Sequence, residues 1–502
     1  MNPADRRIAV GIFLVTLLTY AAFFGGGGWN QNAQLDLTRA LVTRQTFHVD
    51  GFDDNTGDLS DGRGGHKYIN KPPGVSLLAT PMYALVYGVQ RAMGADPDAW
   101  LPLTVAAWLC TVFTCGVSSA LIAAVLYLYG RRAIDVSPRA ALAVALIIAF
   151  GTILFPYATM LFAHTPSALF LLLAFVLRNA RPLLAGMCAG VAGICFYPCM
   201  LAAVVLVLMR PRTGALRFIA GGLPFALLLA AYQWICFGSP FATTVEGSRG
   251  FVDGTLFLGV LRLPNAEVLW RLTFSPHRGL FFVSPVLLLA FIGAVVMIRR
   301  RVMRAELVAI AIITAIFLAF FAGFNGWHGG WAWGPRYLTS IIPLLAIPMF
   351  YAVSLARLLW IALAAASIAM QLIATAVDPM PPNDYRNPLR EYLLPPFLTG
   401  HLRPDIARHL GFWRTHVGKT SINPQSVDEG GHFTRHPPDS HESTWASWNA
   451  GELLTGPATR SSLLPIVLWM GLGSLALQRT AAGRRLFSRR DAGVPESRRL
   501  GG

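Results

Sequence analysis

The chain has 502 residues, of which 54% are hydrophobic and 13% charged. Soluble globular domains carry about 25% charged residues, so this composition excludes a soluble enzyme or binding module, and its many apolar runs near bilayer length predict an all-α polytopic membrane protein. The formal net charge of +16 would suggest a nucleic-acid partner in a soluble protein. Here the arginines stand in short clusters between apolar runs, as in Arg131-Arg132, Arg210 and Arg212, Arg299 to Arg301, Arg484-Arg485 and Arg489-Arg490. That is the pattern of cytoplasmic loops, and no nucleic-acid partner is expected.

Arg6-Arg7 precedes an apolar run from Ile8 to Phe24. The run is long, and FGGGGWNQN follows it without a small-x-small cleavage site, so a retained first span is expected rather than a signal peptide. No Gly-Lys-Ser/Thr follows the glycines at 25–28, which therefore read as a turn and not a phosphate loop. With Arg6-Arg7 inside, residues 26–100 form a first outer loop. Residues 73–92 are apolar enough to cross, but a crossing there would place Arg131-Arg132 and Arg299 to Arg301 outside. They are therefore expected to lie along the outer interface, started sharply by Pro72-Pro73.

Further spans are expected at about 101–129, 139–158, 163–178, 182–196, 198–209, 217–237, 279–298, 305–323, 337–353, 357–376 and 462–478, with 182–209 a hairpin around Tyr197-Pro198. The total is about 12 transmembrane helices with both ends cytoplasmic. Residues 1–376 are expected to form one transmembrane domain that includes the outer loop 26–100, 377–460 a second outer loop region, and 461–502 the last span and a basic cytoplasmic tail that touches anionic lipid. No fixed-period repeat or inverted symmetry is visible. The six cysteines all lie in apolar runs and read as small apolar residues. Lysine is scarce beside arginine, with only Lys67, Lys71 and Lys419. That bias suits a GC-rich bacterial genome and hence a bacterial inner (plasma) membrane.

On this topology the unusual polar residues collect outside: Asp36, the stretch HVDGFDDNTGDLSDGRGGHKYINK, His164, Arg249, Arg278 and FNGWHGGWAWGPRY. Carboxylates, lysines and arginines at a membrane surface suit an anionic lipid headgroup. Lysine meets phosphate as a mobile point charge and arginine as a planar fork.

The order of these features resembles the GT-C superfamily of integral-membrane glycosyltransferases. A first helix is followed by the acidic stretch NQNAQLDLTRAL, then by Lys-Pro-Pro-Gly opening a juxtamembrane helix, and much later by WGPRYLTSIIPLL. The likeness is nearest to the protein O-mannosyltransferase and lipid A aminoarabinose transferase branch, and covers about 1–376. It implies a helical bundle with interfacial helices in the first outer loop, a polyprenyl-phosphate sugar donor, and transfer on the outer (periplasmic) face. By resemblance Lys71 and Arg336 bind the donor phosphate, with Lys67 and Arg278 as further cations. His66, Tyr68, His164, Trp331 and Trp333 are expected to line the substrate.

That family usually opens its first loop with an Asp-Glu pair, where this chain has Asn30-Gln31. The catalytic carboxylate is therefore ranked Asp36 first, then Asp58, then Asp50, as base or acceptor for the attacking hydroxyl. A lipid phosphate leaves as an anion that cations stabilise, so the paired carboxylates of glycosidases are not required. The same cations have a plainer reading, because lysines beside an interfacial helix snorkel to headgroups and interfacial tryptophans serve as anchors.

Two other classes compete. A flippase or transporter of lipid-linked saccharide would carry ionisable residues near the midplane of its spans, and these spans are almost free of them. An O-antigen ligase or polymerase would put its arginines and histidine in a large late loop, for which 377–460 has the residues. No metal site is assigned: His48, His328 and the histidines of 401–441 show no ligand spacing, and a divalent metal stays open. The sugar and the acceptor, whether lipid, glycan or protein, are not legible.

Overall fold

A computed structural model describes residues 2–245, 248, 256–257, 259–353, 355, 357–400, 402, 426–427, 433–434, 448–455 and 460–482. Arg249, the histidines of 401–441 and the basic tail lie outside the described residues. Helix makes up 71% of the structure, in keeping with the all-α expectation. Among the described residues, five helices are long and apolar enough to cross a membrane: Leu101–Arg132, Arg212–Phe237, Arg304–Gly323, Arg357–Val377 and Arg460–Ala482. Five shorter apolar helices of 10–17 residues accompany them. A crossing needs about 20 residues, so this measure does not reach the expected count of about 12. Several expected spans are interrupted. The run 139–158 breaks at Gly151, and 279–298 is split by a tight turn that starts at Pro285. The run 337–353 likewise begins with a tight turn, at Arg336–Ile341.

In chain order, α1 is Pro3–Ala21, and β1 (Phe23–Phe24) pairs with Trp448–Asn449. α2 (Trp29–Thr43) precedes a hairpin of β2 (Leu59–Asp61) on β3 (Lys67–Ile69), which leads into α3 (Gly74–Ala92). α4 (Trp100–Thr111) runs through one wide turn into α5 (Val117–Arg132). Then come α6 (Pro138–Phe150), α7 (Leu154–Ala158), α8 (His164–Leu177), α9 (Pro182–Cys195), α10 (Cys199–Leu208) and α11 (Arg212–Phe237). The second half holds α12 (Ala266–Thr273), α13 (Leu280–Val283), α14 (Leu289–Arg300), α15 (Arg304–Gly323), α16 (Ile342–Ala352) and α17 (Arg357–Val377), before a last helix at Leu464–Ala482.

The large apolar residues Leu216, Leu227 and Trp234 of α11, and Leu464 and Leu472 of the last helix, are exposed. Contiguous apolar surface of this kind is uncommon on water-facing proteins, and lipid is the solvent that suits it.

The bundle has two chemically different ends. At one end, Arg131 of α5 reaches Asp5 of α1 at 3.3 Å, and Arg178 after α8 reaches Glu306 of α15 at 2.5 Å. The charge of Arg178 also reaches Arg210, before α11. α1 and α15 run away from that end, whereas α5 and α8 run toward it. α8 starts, α9 ends and α15 ends at the other, where the chain turns at Phe196–Pro198, Tyr68 meets Phe237 of α11, and the loop 324–336 lies. Arg131, Arg178 and Arg210 are therefore separated from the described polar loops by the length of the bundle.

α9 and α11 cross at backbone distance. A Cβ placed on Gly186 would stand 1.8 Å from the Phe218 carbonyl oxygen, and one on Gly221 2.0 Å from that of Leu183. Such small-residue seams let helices approach closely where hydrophobic sequestration supplies little drive. Gly186→Leu should force the pair apart at a cost of about 1–3 kcal/mol or more, read as a lower unfolding temperature in detergent. Gly471→Leu, where a Cβ meets nothing within 4 Å, should leave that temperature unchanged.

Candidate functional site

The β2–β3 hairpin positions the first part of the site. Its ladder extends one step past the strands, with the Asn70 N–H donating to the Asp58 carbonyl at 3.0 Å. That register brings the next residue, Lys71, against the Asp58 carboxylate, Nζ to Oδ1 at 2.9 Å. Asp58 is itself fixed from below. Its N–H donates to Thr56 Oγ1, and Thr56 Oγ1 donates to the Trp29 carbonyl on α2. Lys71 and Asp58 are both nearly buried, at 18% and 9% side-chain exposure.

Pro73 then caps α3, and Gly74 allows the start of this helix to touch the end of α9. A Cβ on Gly74 would lie 2.6 Å from the Ile194 carbonyl and the Cys195 nitrogen. The approach carries Lys71 to the aromatic turn that follows α9. There His164, at the start of α8, stacks on Phe162 with centroids 5.4 Å apart and meets Tyr157, Phe196 and Tyr337 edge-on. The wide turn between α4 and α5 supports this corner. Cys115 accepts from Thr165 Oγ1 through its carbonyl and donates from Sγ to the Phe162 carbonyl.

Arg336 enters from the loop 324–336, which is shaped by glycine. Gly329 has φ of +73°, and a Cβ there would stand 2.8 Å from Arg336 Nε. The Arg336 guanidinium lies 5.1 Å from both the Phe162 and the Tyr337 ring centroids, and among the described residues its one side-chain hydrogen bond is a long 3.4 Å contact to Tyr337 Oη. Its Nε is buried and has no partner. The charges of Arg336 and Lys71 both act on His164, and that of Asp58 acts on Arg336. Asp58, Lys71, His164 and Arg336 therefore form one constellation.

A second arginine extends it. Arg278, between α12 and α13, is fully buried. It donates to the carbonyls of Ala332 and Gly330, the latter at 2.9 Å, and to Asn383 Oδ1 at 3.4 Å. Burial pushes its guanidinium down to about 10, which leaves it cationic at neutral pH. Among the described residues, neither Arg278 nor Arg336 forms an ion pair. A buried cation costs several kcal/mol to desolvate unless an anion compensates it. Carbonyl dipoles and aromatic faces compensate only in part, so the arrangement is suited to an anion supplied from outside.

The other sequence-predicted residues fall elsewhere. Asp36 is fully buried on α2 and pairs with Arg39 at 3.1 Å, while Asn55 Nδ2 donates to it at 3.2 Å. Arg39 also binds Asp98 at 2.7 Å and lies over Phe52. Asp36 is thus part of a network joining α2 to two loops, whereas the structure brings Asp58 to Lys71.

Asp50 meets His66 and His48 at 2.5 and 3.1 Å. Burial alone would raise its carboxyl, but the Lys67 N–H and the two imidazoles outweigh this and hold it below the usual range. Lys67 pairs with Asp53 at 2.7 Å, which raises the lysine. Tyr68 donates to the Arg63 carbonyl and packs on Phe237. Trp333 is fully buried and donates to Gln371 at 3.0 Å, and Trp331 is nearly buried. Sequence reading missed Asp53, Arg39 and the grouping of His48 with Asp50 and His66. The first two were legible as nearby opposite charges, but the last joins two segments that only the hairpin brings together.

No protein-family model, curated protein or solved structure matches this chain.

Two histidines border the arginines. His277 Nε2 meets the Asn383 carbonyl at 3.1 Å, and His328 Nδ1 accepts from the Gly330 N–H at 2.9 Å. Burial, joined by the Arg278 charge, pushes both down to about 4. The unfolded chain, with histidines near 6.5, then binds more protons than the folded one between about pH 6.5 and 4. Stability should be full above that window and fall as pH drops through it. Protonation at Nδ1 would also break the bond from Gly330. Thermal unfolding against pH should show this fall, and His328→Asn and His277→Asn should each flatten it.

Proposed function

We propose that this protein is a membrane glycosyltransferase that moves a sugar from a polyprenyl-phosphate donor to an acceptor at the outer face of a bacterial inner membrane, and that it has the GT-C architecture of about 12 spans. The observation that carries the reading is the partly buried Arg336 guanidinium, its Nε shut off from solvent and without an ion pair among the described residues, beside the Asp58–Lys71 pair. A phosphate at this place would meet a lysine, a planar arginine fork and, further on, Arg278, which together stabilise a departing lipid phosphate. The surrounding apolar bundle suits the polyprenyl chain. Asp58 takes first place as base, ahead of Asp36 and Asp50, since it stands beside the phosphate-binding lysine and can reach an acceptor hydroxyl presented there.

The two ends of the bundle support the outer-face reading. Arg131, Arg178 and Arg210 mark one end, and cationic clusters favour the cytoplasm. The candidate site lies at the other.

Proteoliposomes containing the protein, a radiolabelled polyprenyl-phosphate sugar and a membrane extract as acceptor pool test the reading. Wild type should move label to a new product. Lys71→Ala and Arg336→Lys should each lower the rate by about 10²-fold, because a lysine cannot reproduce the planar fork. Asp58→Asn should lower it by a similar factor or more, while Asp36→Asn should act mainly on stability. Label that changes leaflet with no new product would replace the enzyme reading with a flippase.

A further inference from the structure

We propose that His48, Asp50 and His66 form a binding site for one divalent transition-metal ion, with zinc the expected occupant, on the loop that precedes α3. The inference stands apart from the glycosyltransferase reading. One ligand atom from each residue lies within 4.8 Å of the others. Both imidazoles present Nδ1 to the same carboxylate oxygen, Asp50 Oδ2, His66 at 2.5 Å and His48 at 3.1 Å. Their rings lie nearly parallel, 13° apart with centroids at 4.3 Å. The His66 contact has the geometry of a hydrogen bond. The His48 contact does not, and its Nδ1 is shut off from solvent with no hydrogen-bond partner among the described residues. A nitrogen lone pair held there, beside a second imidazole and a carboxylate oxygen, is a donor set without its acceptor.

The surroundings hold the three ligands in place. The other carboxylate oxygen, Asp50 Oδ1, accepts from the Lys67 N–H at 2.8 Å, which turns Oδ2 toward the histidines. Arg44 donates to the Asp50 carbonyl. Gly51, in the left-handed region at φ of +77°, makes the turn under the Arg44 side chain. Outer-shell bonds of this kind orient metal ligands.

Zinc takes imidazole nitrogen and carboxylate oxygen at about 2.0–2.2 Å, so tetrahedral ligands stand about 3.3 Å apart. Seating it requires the His66–Asp50 contact to open by under about 1 Å. Two imidazoles and one carboxylate select zinc, cobalt or nickel over the oxygen-seeking magnesium and calcium. His66 is 46% exposed, which leaves the fourth position to water. The ion would tie residues 48–50 to the start of β3, whose far end presents Lys71.

The test uses the full chain in detergent, purified on an affinity tag free of histidine, stripped with chelator and titrated with cobalt(II), then with zinc. The expected result is about one equivalent of cobalt with a tetrahedral absorption spectrum, displaced by zinc, and a zinc-dependent rise in unfolding temperature. Loss of even an outer-shell partner weakens such sites 10–100-fold, so His48→Ala and Asp50→Asn should each weaken binding by at least about tenfold. Both variants should keep the circular-dichroism spectrum and size-exclusion profile of the parent. Replacing the six histidines of 401–441 by alanine should leave the cobalt spectrum intact. An absent cobalt spectrum in the parent, or equal binding in His48→Ala, would overturn the proposal and leave these residues as an ion pair only.

Discussion

Two guanidinium groups, Arg336 and Arg278, are held inside an apolar bundle, and the local structure around them is organised by the cost of doing so. A guanidinium cannot shed its charge at neutral pH, so the chain must surround it with dipoles and π-faces. For Arg278 the dipoles are the carbonyls of Ala332 and Gly330. For Arg336 the faces are Phe162 and Tyr337. Both solutions draw on the loop 324–336, whose glycines at positive φ let backbone and arginine approach where a side chain would intervene. The glycines of this loop, the aromatic corner and the two arginines are one device.

The contrast between the ends of the bundle sharpens this. At the end marked by Arg131 and Arg178, each of these arginines has a carboxylate partner, Asp5 or Glu306. At the other, the carboxylates are spent on Lys71, Lys67, Arg39 and the histidines, and among the described residues Arg278 and Arg336 go without. Surface charge follows membrane orientation, but a buried imbalance confined to one end follows from what that end must hold. The separation also accounts for the near absence of ionisable residues between the ends.

What was legible in the sequence depended on range. The Lys-Pro-Pro-Gly start of α3 and the glycine-rich turn before Arg336 are local signals, and the structure places both residues in one constellation. Asp36 ranked first on its helical position near the interface. Arg39, three residues along the same helix face, is a ready partner, and the fold uses it. Asp58 gains its place only through the β2–β3 register, a pairing across a five-residue loop that hydropathy does not reveal. The expected spans suffered similarly. Apolar periodicity runs straight through Gly151 and Pro285, while the helices end there because glycine and proline disrupt the backbone ladder. Hydropathy measures what is apolar, not what is continuous.

The Asp58–Lys71 pair also bears on how a site of this kind avoids acting too early. A carboxylate held at 2.9 Å by a lysine is a poor base, because the ammonium occupies its lone pairs. On the proposed reading, an arriving phosphate competes for Lys71 and brings more negative charge than the carboxylate it displaces. Arg336, close enough to feel Asp58 yet outside ion-pair distance, strengthens that competition. As Lys71 turns to the phosphate, Asp58 recovers its lone pairs next to the bound donor. Donor binding and exposure of the base then become one event, and a water molecule reaching the site without a donor meets a carboxylate already engaged. The pairing that looks inhibitory in isolation is, in this arrangement, what makes the base conditional on its substrate.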